Sequence, residues 1–222
     1  MKHIDKEFKI KEYWDNFYSN EKVTNQPSHF AKYCFDNHIV PSWFPDGMVK
    51  QPDTHMLELG CGNGRDSNFF AQSNIKVTAV DLSEEVINIQ KHTPNNPNFI
   101  NSNAVDAIKN IENINYVYMR WFLHAIKEEE EKDILIESYN KLNENGLMFI
   151  EVRSIHDHLF GKGIKISNTE FMDTHYRRFH EKDELLSKLK NIGFDIVYDI
   201  ESNGFSKLDN DDPVLIRVIA RK

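Results

Sequence analysis

From residue 55 onward, apolar positions fall in short runs separated by amphipathic stretches. His55-Met-Leu-Glu-Leu59 reads as a strand ending at Gly60, and residues 65–73 read as a helix. Ile75 to Val80 is a second strand. Ser83, followed by Glu84 and Glu85, starts a helix running to about residue 91, because a hydroxyl and two acids suit a donor-rich helix N-terminus. Asn98–Asn101, Tyr116–Met119 and Leu147–Val152 give three more strands. Between them lie a short helix over 104–111 and a longer one over 128–142, which carries Leu135, Tyr139 and Leu142 on one face and ends at Asn145-Gly146. A last helix over 181–192 buries Leu185, Leu186, Leu189 and Ile192. Phe194–Ile200 and Val214–Ala220 then pair without room for a crossover helix. The pattern predicts an α/β chain: a seven-stranded, mostly parallel sheet with an antiparallel edge pair and helices on both faces. A ligand is expected in the crevice at the carboxyl ends of the strands.

Residues 5–20 and 28–38 read as two further helices, the first with Phe8, Tyr13, Trp14, Phe17 and Tyr18 on its apolar side. The Pro- and Gly-rich stretch 41–53 leads into the main fold. A single domain over 1–222 is expected, with 1–53 as an N-terminal extension, 54–222 as the core and 153–180 as an insertion.

Composition changes this picture only in what it excludes. With 40% hydrophobic and 28% charged residues the chain can form a core. A net charge of −8 disfavours a phosphate backbone as partner, so no nucleic acid is expected. No apolar run approaches the roughly 18 residues that span a bilayer, and the charged N-terminus lacks a signal-type apolar stretch. A cytoplasmic chain without membrane contact is expected. Cys34 and Cys61 lack metal-ligand spacing and read as reduced thiols, so no metal is expected. Oligomeric state is left open.

The chemistry concentrates in Glu58-Leu-Gly-Cys-Gly-Asn-Gly-Arg-Asp66, which follows a strand and opens a helix. Glycines at 60, 62 and 64 permit positive φ and a close backbone approach to a ligand. The spacing is G-x-G-x-G, which suits a pyrophosphate less well than G-x-G-x-x-G. Glu58 would also repel phosphate, but it suits an ammonium group. Asp81 ends the second strand about 20 residues beyond the first glycine, where an acid hydrogen-bonds ribose hydroxyls. Together these describe a nucleoside carrying an amino acid.

These residues resemble the class I S-adenosylmethionine-dependent methyltransferases: E-L-G-C-G-N-G-R-D is similar to their first motif and V-D-L-S to their second. The resemblance extends over roughly residues 8–222 and looks nearest to a small-molecule branch, the tellurite-resistance-type or surface-polysaccharide-tailoring enzymes. It implies a Rossmann-like core, S-adenosylmethionine as cofactor and S-adenosylhomocysteine as product. It implies cofactor contacts from Glu58, Gly60, Cys61, Gly62, Asn63, Gly64, Asp81 and Leu82. The adenine contact has two registers, Asn103 with Ala104, or Asp106, which also reads as a first-turn helix acid. Met119 and Arg120 are expected in the crevice beside the sulfonium. Tyr-Trp-Asp-Asn-Phe-Tyr, residues 13–18, resembles a helix that closes over the cofactor, placing Tyr13 and Trp14 on the cofactor and Tyr18 on the acceptor.

Past the fifth strand, Glu151, Arg153, His156, Asp157 and His158 crowd one strand end. A mobile-looking Gly161-Lys-Gly163 loop and His175-Tyr-Arg-Arg-Phe-His180 follow. Arg120, Arg153, Arg177 and Arg178, with His175 and Tyr176, are candidate acceptor ligands, since guanidinium forks suit carboxylate or phosphate. His124, His175 and Glu151 are candidate bases. The expected function is methyl transfer to a small, anionic acceptor, for example a phosphate or phosphoramidate ester in bacterial capsule or surface-polysaccharide synthesis. The alternatives are a noncatalytic cofactor-binding partner subunit and a methyltransferase acting on a neutral metabolite.

Overall fold

The computed structural model describes residues 11–16, 24–40, 54–90, 97–207 and 211–222. Residues 11–16 are helical (α1). α2, His29–Cys34, is capped by Ser28 and runs into a π-helical turn, Phe35–Ile39. The core then alternates β1 (His55–Leu59), α3 (Arg65–Gln72), β2 (Lys76–Asp81), α4 (Glu84–Gln90), β3 (Asn98–Asn101), α5 (Ala104–Lys109) and β4 (Ile114–Arg120). After a 3-10 turn at Leu123–Ala125 come α6 (Glu128–Lys141) and β5 (Leu142–Arg153). The chain ends in α7 (Lys182–Ile192), β9 (Asp195–Ser202) and β10 (Leu215–Arg221). Among the described residues no helix is long and apolar enough to cross a membrane.

The strand order is β3-β2-β1-β4-β5-β10-β9. β1 to β5 are parallel neighbours, and β10 lies antiparallel between β5 and β9. The expected sheet is therefore present. The chain order reverses between β1 and β4, so the ligand crevice opens above these two strands. β5 is longer than the apolar run Leu147–Val152 suggests. Asn145 takes φ 63° and lets the chain turn directly from α6 into the strand.

Strand alternation divides the core. Leu57, Leu59, Val117, Met119, Ile150 and Val218 pack under α5, α6 and α7. Met56, Tyr116, Tyr118, Phe149 and Ile219 pack under α2 and α3. Both layers are continuous, and β1 is buried along its whole length.

Residues 153–180 are not an open loop. They form a three-stranded antiparallel sheet, β6 (Ile164–Lys165), β7 (Glu170–Met172) and β8 (Tyr176–Arg178). Phe160, Phe171 and Phe179 meet edge to face beneath it, with centroids 5.3–6.0 Å apart. Gly163, at φ 90°, lies so close to β7 that a Cβ would stand 2.5 Å from the Met172 carbonyl oxygen. Gly163 is thus held against β7, while Gly161 faces open space.

Candidate active site

The turn after β1 is built by backbone geometry. Gly60, Gly62 and Gly64 take φ of 72°, 52° and 71°. The Gly60 and Cys61 N–H groups donate to the Val80 carbonyl at 2.9 and 3.0 Å, which ties the turn to β2. Asp81 accepts the Gly62 N–H on one carboxylate oxygen and the Ser83 N–H on the other, each at 2.9 Å. Burial raises the Asp81 carboxyl above its ordinary range despite these bonds. Glu58 is buried and accepts from the Ser67 hydroxyl. Burial and the nearby Asp66 charge push its carboxyl well up. Two desolvated carboxylates therefore flank a turn with backbone exposed for close approach.

The remaining sequence-predicted cofactor residues divide by environment. Cys61 is buried, and burial raises its thiol. The Asn63 side chain donates to the Thr24 carbonyl at 2.9 Å, and its own carbonyl accepts from Gln90 at 2.7 Å. Leu82 is one of the exposed large apolar side chains, at 36%. Asn103 caps α5 by accepting the Val105 N–H at 2.8 Å, with Ala104 as the first helical residue. Asp106 is exposed one turn on, and its carbonyl accepts from Asn110. Asn103 and Ala104 adjoin the carboxyl end of β3, whereas Asp106 sits in the helix. Asn101, missed in the sequence, donates to the Asp81 and Leu82 carbonyls at 3.2 and 2.9 Å and holds that loop.

At the end of β4 two expectations need correction. Met119 is fully buried in the core layer beneath α5 and α6, because alternation turns it away from its neighbour Arg120. Glu151 is not placed as a base. It lies in register with both Arg120 and Arg217, making one row across β4, β5 and β10 in which Glu151 and Arg217 are buried. It pairs with Arg120 Nε at 3.0 Å and Arg217 Nη2 at 2.7 Å, and accepts from Arg217 Nε at 2.7 Å and Trp121 Nε1 at 3.0 Å. A carboxylate so occupied is a counter-ion. Arg120 in turn is committed to Glu151 and donates to Ser206 at 3.2 Å.

Trp121 follows at φ 56°, a conformation rare for a bulky side chain and typical of functional positions. The Arg120 and Arg153 guanidiniums lie 5.1 and 5.0 Å from its ring centroid. Phe122 covers the glycine turn: a Cβ on Gly60 would meet its ring at 2.7 Å. His124 is buried, 5.7 Å from the Trp121 ring, and its Nδ1 meets no hydrogen-bond partner among the described residues. Burial, then the Arg153 charge, hold its pKa well below the usual histidine range, so the imidazole is neutral.

The insertion sorts the arginines. Arg153 donates to Asp157 at 2.9 Å and to Asp211 at 3.0 Å. Alternation in β8 sends Tyr176 and Arg178 to one face and Arg177 to the other. Arg178 is buried against Glu131, which His180 Nε2 also meets at 2.6 Å. The Tyr176 hydroxyl donates to Glu170 at 2.5 Å. These two expected acceptor ligands instead fasten the hairpin to α6. Arg177 stays half-buried, and its ion pair with Asp173 is loose, at 3.8 Å. His175 stacks on Tyr13 of α1, with centroids 4.4 Å apart and planes at 27°. Burial and the Arg177 and Arg153 charges lower its pKa to about 4. Trp14 lies 5.6 Å from the same imidazole. Asp15 accepts from the Ser83 hydroxyl at 2.5 Å, beside Asp81. One helix therefore touches both the β2 loop and the insertion. Tyr18 lies outside the described residues.

Comparison with known proteins follows the same lines. A family described as a methyltransferase domain matches residues 29–199. A curated relative, a probable cobalt-precorrin-6B C(15)-methyltransferase (decarboxylating) of Methanobrevibacter smithii, is 29% identical over 105 residues, 45% of this chain. The match spans about half of that relative, 54% of its length. An S-adenosylmethionine-dependent methyltransferase of Methanosarcina mazei superposes with TM-score 0.65 at 20% identity, covering 78% of this chain and 93% of its own. The Burkholderia thailandensis 1,6-didemethyltoxoflavin-N1-methyltransferase, solved with its substrate and S-adenosylhomocysteine, superposes with TM-score 0.71 at 17% identity, covering 99% and 89%. At these identities the structural matches speak to the fold.

Proposed function

Since the chain belongs to the methyltransferase-domain family, we propose that it moves a methyl group from S-adenosylmethionine to a small acceptor, leaving S-adenosylhomocysteine. The observation that carries this reading is Asp81, braced by the N–H groups of Gly62 and Ser83, beside buried Glu58. Such a pair suits ribose hydroxyls and an α-ammonium group. Asp81 would hold the ribose, the Gly60–Gly64 backbone and Glu58 the amino-acid end, and Leu82 with Asn103 and Ala104 the base. The cofactor supplies an electrophilic methyl on a sulfonium.

The chain's own task is then alignment and exclusion of water. α1 contributes by meeting Ser83 through Asp15 and His175 through Tyr13. His124 and His175 are neutral but held to weak basicity, so they suit an acceptor that is acidic or already ionised. That agrees with an anionic acceptor. The four-arginine cradle expected for a phosphate or phosphoramidate ester reduces to Arg177, because Arg120, Arg153 and Arg178 already have carboxylate partners. The capsule-precursor version of the reading therefore rests on that one residue.

Calorimetry tests the core of the proposal. The isolated protein should bind S-adenosylhomocysteine and show no comparable heat with NAD. Tight NAD binding without S-adenosylhomocysteine binding would overturn it.

A further inference from the structure

The walls of the acceptor side differ from those expected for a sugar phosphate. Tyr13, Trp14 and His175 form one aromatic group: Tyr13 stacks on His175 at 4.4 Å, Trp14 meets Tyr13 edge-on at 5.1 Å, and Trp14 tilts on His175 at 5.6 Å. Its two halves come from separate segments, the N-terminal helix and the turn before β8. Trp121 and His124 form a second aromatic group at the end of β4, 5.7 Å apart. The Trp121 ring is locked by its N–H bond to Glu151 and by the flanking guanidiniums of Arg120 and Arg153. β8 packs against the Leu123–Ala125 turn, and Tyr176 and Arg178 both donate to the Ile126 carbonyl at 3.4 Å, which places the two groups near one another.

Among the described residues, hydrogen-bonding and charged groups left over in this region are few. His124 Nδ1 is buried without a partner among the described residues. Arg177 follows His175 directly, and its nearest carboxylate, on half-exposed Asp173, stands off at 3.8 Å. A saturated polyol would need many hydrogen-bond partners on burial, and these walls are mostly rings. A phosphate dianion would draw several guanidiniums, and the others are committed. A flat ring can extend the stack that Tyr13 and His175 already form, while one guanidinium fork meets one acid group.

We infer that the acceptor is a planar aromatic or heteroaromatic monoanion, stacked against the aromatic group of Tyr13, Trp14 and His175, with its acid group on Arg177 and one polar ring or substituent atom on His124 Nδ1. This rests on the methyltransferase reading and narrows it to a substrate class.

The test uses the full-length protein saturated with S-adenosylhomocysteine and four acids of equal charge: 2-naphthoate, benzoate, cyclohexanecarboxylate and hexanoate. Calorimetry should show 2-naphthoate binding about tenfold more tightly than cyclohexanecarboxylate, the factor expected for one aromatic stacking contact. His175→Phe should keep that preference, and His175→Ala should reduce it toward parity. Arg177→Gln should weaken the flat and saturated acids alike. All three variants should still bind S-adenosylhomocysteine and unfold cooperatively on heating, which separates acceptor loss from unfolding. Equal affinity for flat and saturated acids would overturn the inference. So would a preference that survives His175→Ala, or no binding of any acid to a protein that still binds S-adenosylhomocysteine. Failure to bind S-adenosylhomocysteine itself would sink the methyltransferase reading and this inference with it.

Discussion

The two rims of the crevice treat their buried charges in opposite ways. On the β1–β2 rim, Glu58 and Asp81 are desolvated carboxylates that, among the described residues, accept from a hydroxyl and from backbone N–H groups, and burial pushes both carboxyls up. On the β4–β5 rim and its insertion, carboxylates are matched to cations: Glu151 to Arg120 and Arg217, Asp157 to Arg153, and Glu131 to Arg178, with His180 as a further hydrogen-bond partner. A rim whose carboxylates form no ion pair among the described residues is prepared for a cationic ligand. A rim that neutralises itself is a scaffold, and among the described residues its ligand chemistry falls to Arg177, His175 and His124.

Removing a partner from the self-neutralised rim should give the largest effect. Glu151→Ala strands two buried guanidiniums and should cost about 3–5 kcal/mol of stability. Thermal unfolding should show a midpoint lowered by roughly 10 °C. If instead the variant keeps its melting temperature and loses only turnover, Glu151 is a base after all and the contrast between the rims fails.

Acid should act next. Burial alone would raise Glu131, but hydrogen bonds and charge from His180 and Arg178 outweigh it and hold the carboxyl at about 2. A depressed folded pKa stabilises above the unfolded value near 4.5, and the benefit is lost as pH falls toward 2. It amounts to about 3 kcal/mol. His180 is pushed down by burial more than Glu131 pulls it up, so protonation below about pH 6.5 also opposes folding. Hydrogen exchange should therefore show β8 and the start of α6 opening in acid before β1 and β2 do. Simultaneous opening would remove the distinction.

Asp81→Ala probes the other rim. It should weaken S-adenosylhomocysteine binding by about 1.5–3 kcal/mol, with little change in melting temperature, because the lost carboxylate is one the fold already disfavours. Unchanged affinity in calorimetry would show that the ribose lies elsewhere.

The smallest effect sharpens the comparison most. Glu58 has a raised pKa, so an ammonium arriving beside it should draw off a fraction of a proton. Binding of S-adenosylhomocysteine should then release protons, and its affinity should fall as pH drops through the raised Glu58 pKa. Calorimetry in two buffers of different ionisation enthalpy reads the release directly. Glu58→Gln should abolish it, and a buffer-independent heat in the unaltered protein would count against the contact.

The cofactor rim was legible because it is local. Glu58, the three glycines and Asp81 sit on adjacent strands and the turns that follow them, so their roles follow from chain spacing and backbone freedom. The sheet was legible for a similar reason: period-two and helical apolar patterns report burial without reference to distant residues. The acceptor rim was not. Four arginines in sequence looked alike, and nothing near them in the chain showed that Asp211 would take Arg153 or Glu131 would take Arg178, 58 and 47 residues away. Alternation could have warned that Met119 and Arg120 point apart, as do Arg177 and Arg178, once the strands were known. The hairpin over 164–178 left no such trace, because its strands are only two or three residues long. Sequence alone therefore determined where backbone and local spacing make a nucleoside site. Only the tertiary structure decided which charges stay available for chemistry, because a charge is neutralised by whatever the fold brings beside it.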